Sequence, residues 1–539
     1  MKKKAIVIGA GVGGLVCATK LAKEGLDVTL LEKYNKVGGL AQAWTRSLKM
    51  PNGDEIDATF ELTHAVSGFQ EDGSMRRIYT ELGVDWDRIG RFEAAPKFVN
   101  FKTEDGNHFE IFNTIPENFA YLLREFPHET NGIRRLFNLY DKINQERDMD
   151  QRKEGWQKRL EQFVEPKVDN PLLKIPMYLL TKPNLVMRRN QTFKDVLDEF
   201  LVDENLRAGL SSLMGYGGLP PSKISAILDA AIKLSYWTDG GPMSPAENSY
   251  QAMHEELARV FVEKYGGDLK LRAKVTGINV ENRKVKGVNY RYKANDEILN
   301  ADYIVVGSDM KKSMLPLRKY LPKRYANRLE DMTMSLSLMN THVVTSLDLF
   351  ARYDELSAAA NVLAATNESI ETANGENFPD DFLLYVSVPT LRTAAGLIRN
   401  KDGTPNFNYH IVDIVMQNPS YDKVSWLRNQ SKTAYNAWKE DQGKKMIEIT
   451  DRMLIPGFAG AVRKARGYTA TTHEKFCDCS EGAVYTFDPT PEQFIPNRFS
   501  PKTPIEGLWL TGATVMSAGV AGAIMGGKLT YDMMIKCLK

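Results

Sequence analysis

Three glycines behind a short apolar run constrain this 539-residue chain more than any other feature. Lys4 to Ile8 is a β-leaning stretch, and Gly9-Ala10-Gly11-Val12-Gly13-Gly14 follows it with glycines at the first, third and sixth places. The first glycine permits a tight turn, the second lets backbone approach a pyrophosphate, and the third lets a helix pack closely on the sheet. Leu15, Ala18, Leu21 and Ala22 then recur at helical spacing, Gly25 offers a C-terminal cap, and Asp27 to Leu31 reads as a second strand. Glu32 closes that strand 18 residues after Gly14 (32 − 14 = 18), where a carboxylate accepts hydrogen bonds from a ribose. Gly38-Gly39 lies a short step beyond and allows a second close approach of backbone to the same pyrophosphate. The expected unit is strand, helix, strand, with the helix N-terminus facing phosphate.

The far end of the chain supplies a counterpart. Gly507-Leu508-Trp509-Leu510-Thr511-Gly512-Ala513 reads as a strand ending in a tight turn. Ser517 to Ala523, with Gly519-Val520-Ala521 at its centre, reads as a glycine-rich lead into a helix running to about Cys537. Gly507 to Gly527 carries no charged residue and is long enough to cross a bilayer, but its six glycines fit a buried turn and helix start better. The lysine-led N-terminus imitates a secretory signal in the same superficial way, and its glycines argue against one.

Charge and cysteine content exclude several classes. Lys plus Arg number 70 and Asp plus Glu 68, a balance of 70 − 68 = +2, so no net field draws the chain to nucleic acid. A composition 43% hydrophobic and 26% charged is that of a globular protein. Four cysteines, Cys17, Cys477, Cys479 and Cys537, form neither a disulfide framework nor a zinc ribbon, so no metal site is expected and a reducing, cytoplasmic setting is.

The stretch Val7 to Gly39 resembles the FAD-binding signature of glutathione-reductase-like flavoproteins. Both ends together, with Ala301 to Asp309, Tyr250 to Val280, Leu123 to Pro127 with Glu129, and Gly482 to Tyr485, resemble the phytoene desaturase, carotenoid isomerase and retinol saturase group of FAD-dependent oxidoreductases. The resemblance implies an α/β fold: a Rossmann-like FAD-binding domain from residues 1–90, 246–314 and 478–539, with an inserted α+β substrate domain from 91–245 and 315–477. It implies FAD contacts from Gly9, Gly11, Val12, Gly13, Gly14, Glu32, Lys33, Gly38, Gly39, Leu40, Val275, Gly512, Ala513, Gly519, Val520 and Ala521. Many relatives carry a basic residue after the paired glycines; Leu40 stands there in this chain, which makes Arg46 the candidate partner for the phosphates. Asn248-Ser249 replaces a glycine pair, and Ala513 replaces an acidic residue that many relatives use for the ribityl chain.

A flavin carries its own hydride chemistry, so few catalytic side chains are required. His64, in the segment after the early acidic turn, and Tyr485, just before the C-terminal strand, are the candidates for moving a proton. The implied reaction is desaturation, saturation or isomerisation of carbon–carbon bonds in a long hydrophobic polyene, isoprenoid or fatty-acyl substrate. Residues 171–189 combine apolar bulk with Lys182, Arg188 and Arg189, which suits either a peripheral membrane contact with lipid access or a buried segment with a basic rim. Three alternatives share the architecture: an amine oxidase with an aromatic cage, a non-catalytic lipid-binding escort of the Rab GDP-dissociation inhibitor type, and a UDP-galactopyranose mutase-like enzyme with arginines for a diphosphate. Oligomeric state is not encoded in these patterns.

Overall fold

The computed structural model describes residues 2–152, 182–495 and 497–538. At its start, β1 (Lys4–Ile8), α1 (Val12–Lys23) and β2 (Asp27–Glu32) form the unit that the glycine spacing predicts. The chain returns to this unit much later through α2 (Tyr250–Arg259) and β3 (Asp268–Leu271). A meander follows, β4 (Ala273–Glu281), β5 (Lys284–Tyr292) and β6 (Asn295–Asn300), and then β7 (Tyr303–Val306). Near the C-terminus β8 (Leu508–Leu510) and α3 (Gly519–Leu538) complete the set.

Strands β8, β7, β1, β2 and β3 pair in that order as one all-parallel sheet. Parallel sheets are covered on both faces, which is why Ala5-Ile6-Val7-Ile8 and Ile304-Val305-Val306 are unbroken apolar runs. Alternation along each strand sorts them: Ala5, Val7 and Val305 pack with residues of α1 and α2, whereas Ile6, Ile8, Ile304 and Val306 pack with Val285, Val288 and Tyr290 of the meander. The result is a Rossmann-like layer of helix, sheet and meander.

A second, seven-stranded sheet lies in the other half. Its order is Val462–Tyr468, Leu338–Thr345, His410–Gln417, Leu383–Ser387, Ala360–Ala364, Val99–Thr103 and His108–Ile111, with parallel pairing only between Ala360–Ala364 and Val99–Thr103. Helices including Ala226–Thr238 share its core, so this half is α+β. Of the basic, apolar segment at 171–189, residues 171–181 lie outside the described residues. The described remainder holds a short helix, Pro183–Arg188, in which Arg188 pairs with Glu199 and Arg189 donates to the Val186 carbonyl. Among the described residues no helix is long and apolar enough to cross a membrane.

Glycines set the distance between α1 and α3. A Cβ at Gly13 would sit 2.5 Å from Cα of Gly512, one at Gly526 would sit 2.1 Å from the Gly512 carbonyl oxygen, and one at Gly527 would sit 2.6 Å from the Gly13 carbonyl oxygen. Backbone therefore occupies the space that side chains would need. Gly526→Ala should cost about 3 kcal/mol through overpacking, against about 1 kcal/mol for Gly25→Ala, where φ is +98° but nothing lies within 4 Å. Urea denaturation of the two variants checks this ordering, and equal losses would contradict it.

Candidate functional site

A single cavity of about 1170 Å³ runs from the turn after β1 into the space beneath the seven-stranded sheet. It exceeds the roughly 300–1,000 Å³ of a pocket for one drug-sized ligand. The end where the sequence leads one to expect a nucleotide is lined by Gly9, Gly11, Val12, Gly13 and Gly14, by Glu32 and Lys33, by Gly38, Gly39 and Leu40, by Val275, and by Gly512, Ala513, Gly519, Val520 and Ala521. Gly11 caps α1 in extended conformation with no side-chain hydrogen bond, so the first amides of the helix are left for a ligand. The start of α3 opens into the same cavity, which brings two positive helix ends to one place.

The paired glycines are held against this turn by backbone. Gly38 N–H donates to the Ala10 carbonyl at 2.9 Å, and Gly38 and Gly39 take φ values of +115° and +60° that favour glycine. A Cβ on Gly39 would come within 3.0 Å of Gly11 Cα. Glu32 accepts from the amides of Ala10 at 2.8 Å and Tyr34 at 2.7 Å. Burial raises its carboxyl above the ordinary value, opposed by those two amides. Each oxygen retains a lone pair for a ribose hydroxyl.

Arg46 does not take the expected place. It sits on the strand Ala43–Lys49 opposite Ala58, outside the cavity lining, with Nε buried and unpartnered among the described residues. The strand that begins at Ala43 carries it away from Gly39. Lysines line the cavity instead: Lys33, Lys36, Lys274, Lys312 and Lys319. Lys33 and Lys312 are tied to Asp478 at 3.3 and 3.1 Å. Lys36 precedes the glycine pair rather than following it, so a search on the C-terminal side alone misses it.

Beyond the glycines the cavity widens into a chamber bounded by Met214, Ile232, Leu336, Leu338, Leu383 and Val415, with Tyr216, Tyr236, Tyr385 and Tyr485 among them. The acidic lining residues are Glu32, Glu281, Asp309 and Asp478, all on or beside elements that line the nucleotide end. No arginine of the described residues lines any part of the cavity.

His64 lies on the chamber wall, its side chain 18% exposed and its Nε2 4.0 Å from Asp413 Oδ2. Burial lowers its basicity, partly offset by Asp413, so it is neutral at pH 7. Asp413 also bonds to Nδ1 of His342, which is enclosed by Trp44, Phe60 and Tyr468. The sequence offered no sign of this grouping, because residues 64, 342 and 413 meet only through strand pairing of His342 with Asp413 and the approach of a separate loop. Tyr485 is differently committed. Its hydroxyl donates to the Gly215 carbonyl at 2.9 Å while burial pushes it up to about 12, so at neutral pH it holds backbone in place and keeps its proton. Cys477 also lines the cavity, and burial pushes its thiol up to about 12.

Residues 12–374 match the family of flavin containing amine oxidoreductases. The chain belongs to that family. It is 23% identical to the lycopene-forming phytoene desaturase of Pseudescherichia vulneris over 100% of both chains. It is 24% identical to the chloroplastic prolycopene isomerase of Daucus carota, covering 98% of this chain and 80% of that one. With the all-trans-retinol 13,14-reductase of Rattus norvegicus it shares 23% identity over 99% of this chain and 86% of that one. An oxidoreductase from Methanosarcina mazei shares the fold with a TM-score of 0.60 at 14% identity, covering 99% of this chain and 100% of that one.

This amine oxidoreductase family member is a flavin-dependent oxidoreductase, and its own residues fit the cofactor. Glycine backbone replaces side chains where phosphates would lie, two helix N-termini converge there, and a buried carboxyl awaits a ribose. Behind the chamber Glu61 accepts from the Tyr250 amide at 2.6 Å, and burial pushes its carboxyl up to about 8 from an ordinary 4.5. A carboxyl raised on folding binds its proton more tightly in the native state. Its stabilising contribution is thus complete below pH 4.5 and is lost as pH rises through 8, at about 1.4 kcal/mol per pH unit. Glu61→Gln keeps an acceptor for Tyr250 and has no proton to lose. Urea unfolding should therefore show the variant gaining on the wild-type protein between pH 6 and 8, and parallel curves would contradict this.

Proposed function

We propose that the chain binds FAD and uses it to desaturate, saturate or isomerise carbon–carbon bonds of a long hydrophobic substrate. The observation that carries this reading is the continuity of one cavity from the phosphate-facing glycines into a chamber whose walls are mainly aliphatic and aromatic, with a few neutral polar groups and no acidic side chain. Full-length likeness to enzymes named for phytoene, prolycopene and all-trans-retinol supports a polyene or related chain as the substrate class. An amine substrate would place a cation among those apolar walls with no carboxylate to receive it. A nucleotide-sugar diphosphate would call for arginine forks, and the lining offers lysines at the nucleotide end alone.

FAD supplies the acceptance or donation of hydride when bound. The chain's part is to orient, to exclude water and to move a proton. Strands Leu338–Thr345, His410–Gln417 and Leu383–Ser387 present side chains along which an extended substrate lies. Tyr385 and Tyr485, bonded to the N–H and C=O of Gly215, brace the opposite wall. With Nε2 of His64 4.0 Å from Asp413, Nδ1 is the ring nitrogen left to take or return a proton. The N-terminal peptides of α3, which line the cavity, would favour negative charge on a flavin held there. In this reading residues 1–90, 246–314 and 478–539 hold the cofactor, and 91–245 with 315–477 hold the substrate.

The deciding experiment is anaerobic mixing of the yellow protein with polyenes and, separately, with amines. Bleaching or recolouring by polyenes is expected; bleaching by amines alone would favour the oxidase. His64→Asn should keep the flavin spectrum and slow flavin reduction or reoxidation by polyene by about 10²–10⁴, measured by stopped-flow absorbance. An unchanged rate would remove His64 from the proton path.

A further inference from the structure

We infer that Asn340, Gln417 and His473 form a hydroxyl-binding subsite in the chamber, so that the hydrophobic substrate carries an alcohol group. The inference rests on the preceding reading of the chamber as the site of a long hydrophobic molecule. All three residues line the cavity. Asn340 is 2% exposed and His473 5% exposed, and both bring polar atoms into an apolar setting. Oδ1 of Asn340 and Nε2 of His473 are buried with no hydrogen-bond partner among the described residues. Buried polar atoms in folded proteins are nearly always paired, and leaving two unpaired in one small region is costly unless a ligand pairs them.

Strand register gathers the three. Leu338 and Asn340 lie on one face of their strand, Leu338 is opposite Gln417, and Asn340 is opposite Val415, so the two amides are diagonal neighbours on the cavity face. His473 is bonded to the backbone of Leu338, within the same patch. That bond uses Nδ1, since Nε2 is the unpartnered nitrogen. With Nδ1–H directed to a carbonyl, Nε2 presents a lone pair and acts as an acceptor. Burial holds the imidazole down at about 4, so Nε2 stays unprotonated at neutral pH.

The chemistry of this set selects a hydroxyl among oxygen functions. An alcohol O–H donates to His473 Nε2 or to Asn340 Oδ1, while its oxygen accepts an N–H from Gln417. A carbonyl accepts an N–H from Gln417 but gives neither Nε2 nor Asn340 Oδ1 a donor. A carboxylate brings a full charge that none of the three side chains can neutralise, and it has no proton for Nε2 or Oδ1. A pure hydrocarbon satisfies none of the three.

The test titrates the flavin-loaded full chain with three polyenes of one skeleton: all-trans-retinol, the matching aldehyde, and the hydrocarbon in which the terminal CH2OH is CH3. Perturbation of the flavin absorbance reports binding. The alcohol is expected to bind at least about 30-fold more tightly than the hydrocarbon, with the aldehyde between them. Asn340→Leu and His473→Phe should each shrink the alcohol preference to within about 3-fold while leaving hydrocarbon affinity and flavin content unchanged. Equal binding of alcohol and hydrocarbon by the wild-type protein overturns the subsite without touching the hydrophobic-substrate reading, and needs no variant to fold. An aldehyde tighter than the alcohol overturns the assignment of Nε2 as acceptor. Failure of all three polyenes to perturb the flavin overturns the reading beneath the subsite as well.

Discussion

The close crossing of α1 and α3 is the contact on which the rest of the molecule depends. Two helices separated in sequence by almost the whole chain approach so closely that Gly13 and Gly527 leave no room for a Cβ, while Gly526 packs as tightly on the turn at Gly512. That approach places both N-termini at the mouth of one cavity, where their unpaired amides and dipoles act together on an anionic ligand. It also fixes β8 beside β7, closing the parallel sheet that carries the turn after β1. A larger side chain at the crossing would separate these parts at once.

Away from the glycine turn, the chamber combines an apolar lining with polar groups bound into its walls. Gly215 is fixed from both sides by Tyr385 and Tyr485, and Arg392 donates to the carbonyls of Pro242 and His64. Such bonds hold the short helix Met214–Gly217 and nearby loop backbone at the cavity wall. Glu61, Asp413, His342 and His64 form a buried ionisable group behind it, and this arrangement persists because each member finds a partner or a neighbouring charge. Burial shifts Glu61 upward and His64 downward, which favours the neutral form of each and limits the net charge held in the interior.

Legibility varied with the range of the interactions. The turn after β1, the carboxyl of Glu32 and the paired glycines are local devices, each needing a residue type at a fixed offset, and the cavity is lined by all of them. Arg46 lies outside the cavity because the strand that carries it leaves the glycine pair, whereas the lysines at the cavity come from three distant stretches, at 33–36, 274 and 312–319. Tyr485 reached the cavity, but its hydroxyl is spent on Gly215, a partner 270 positions away.

The sequence by itself determined the strand, helix and strand of the first unit with its glycine turn, since glycine spacing, strand runs and a terminal carboxyl act within some thirty residues of one another. Tertiary structure alone decided which histidine faces which carboxyl, which amides share the cavity face, and where the apolar chamber begins. Those facts are set by strand register and by packing between distant segments, and a register shift of one residue would turn Asn340 and Gln417 away from the cavity without altering any local motif.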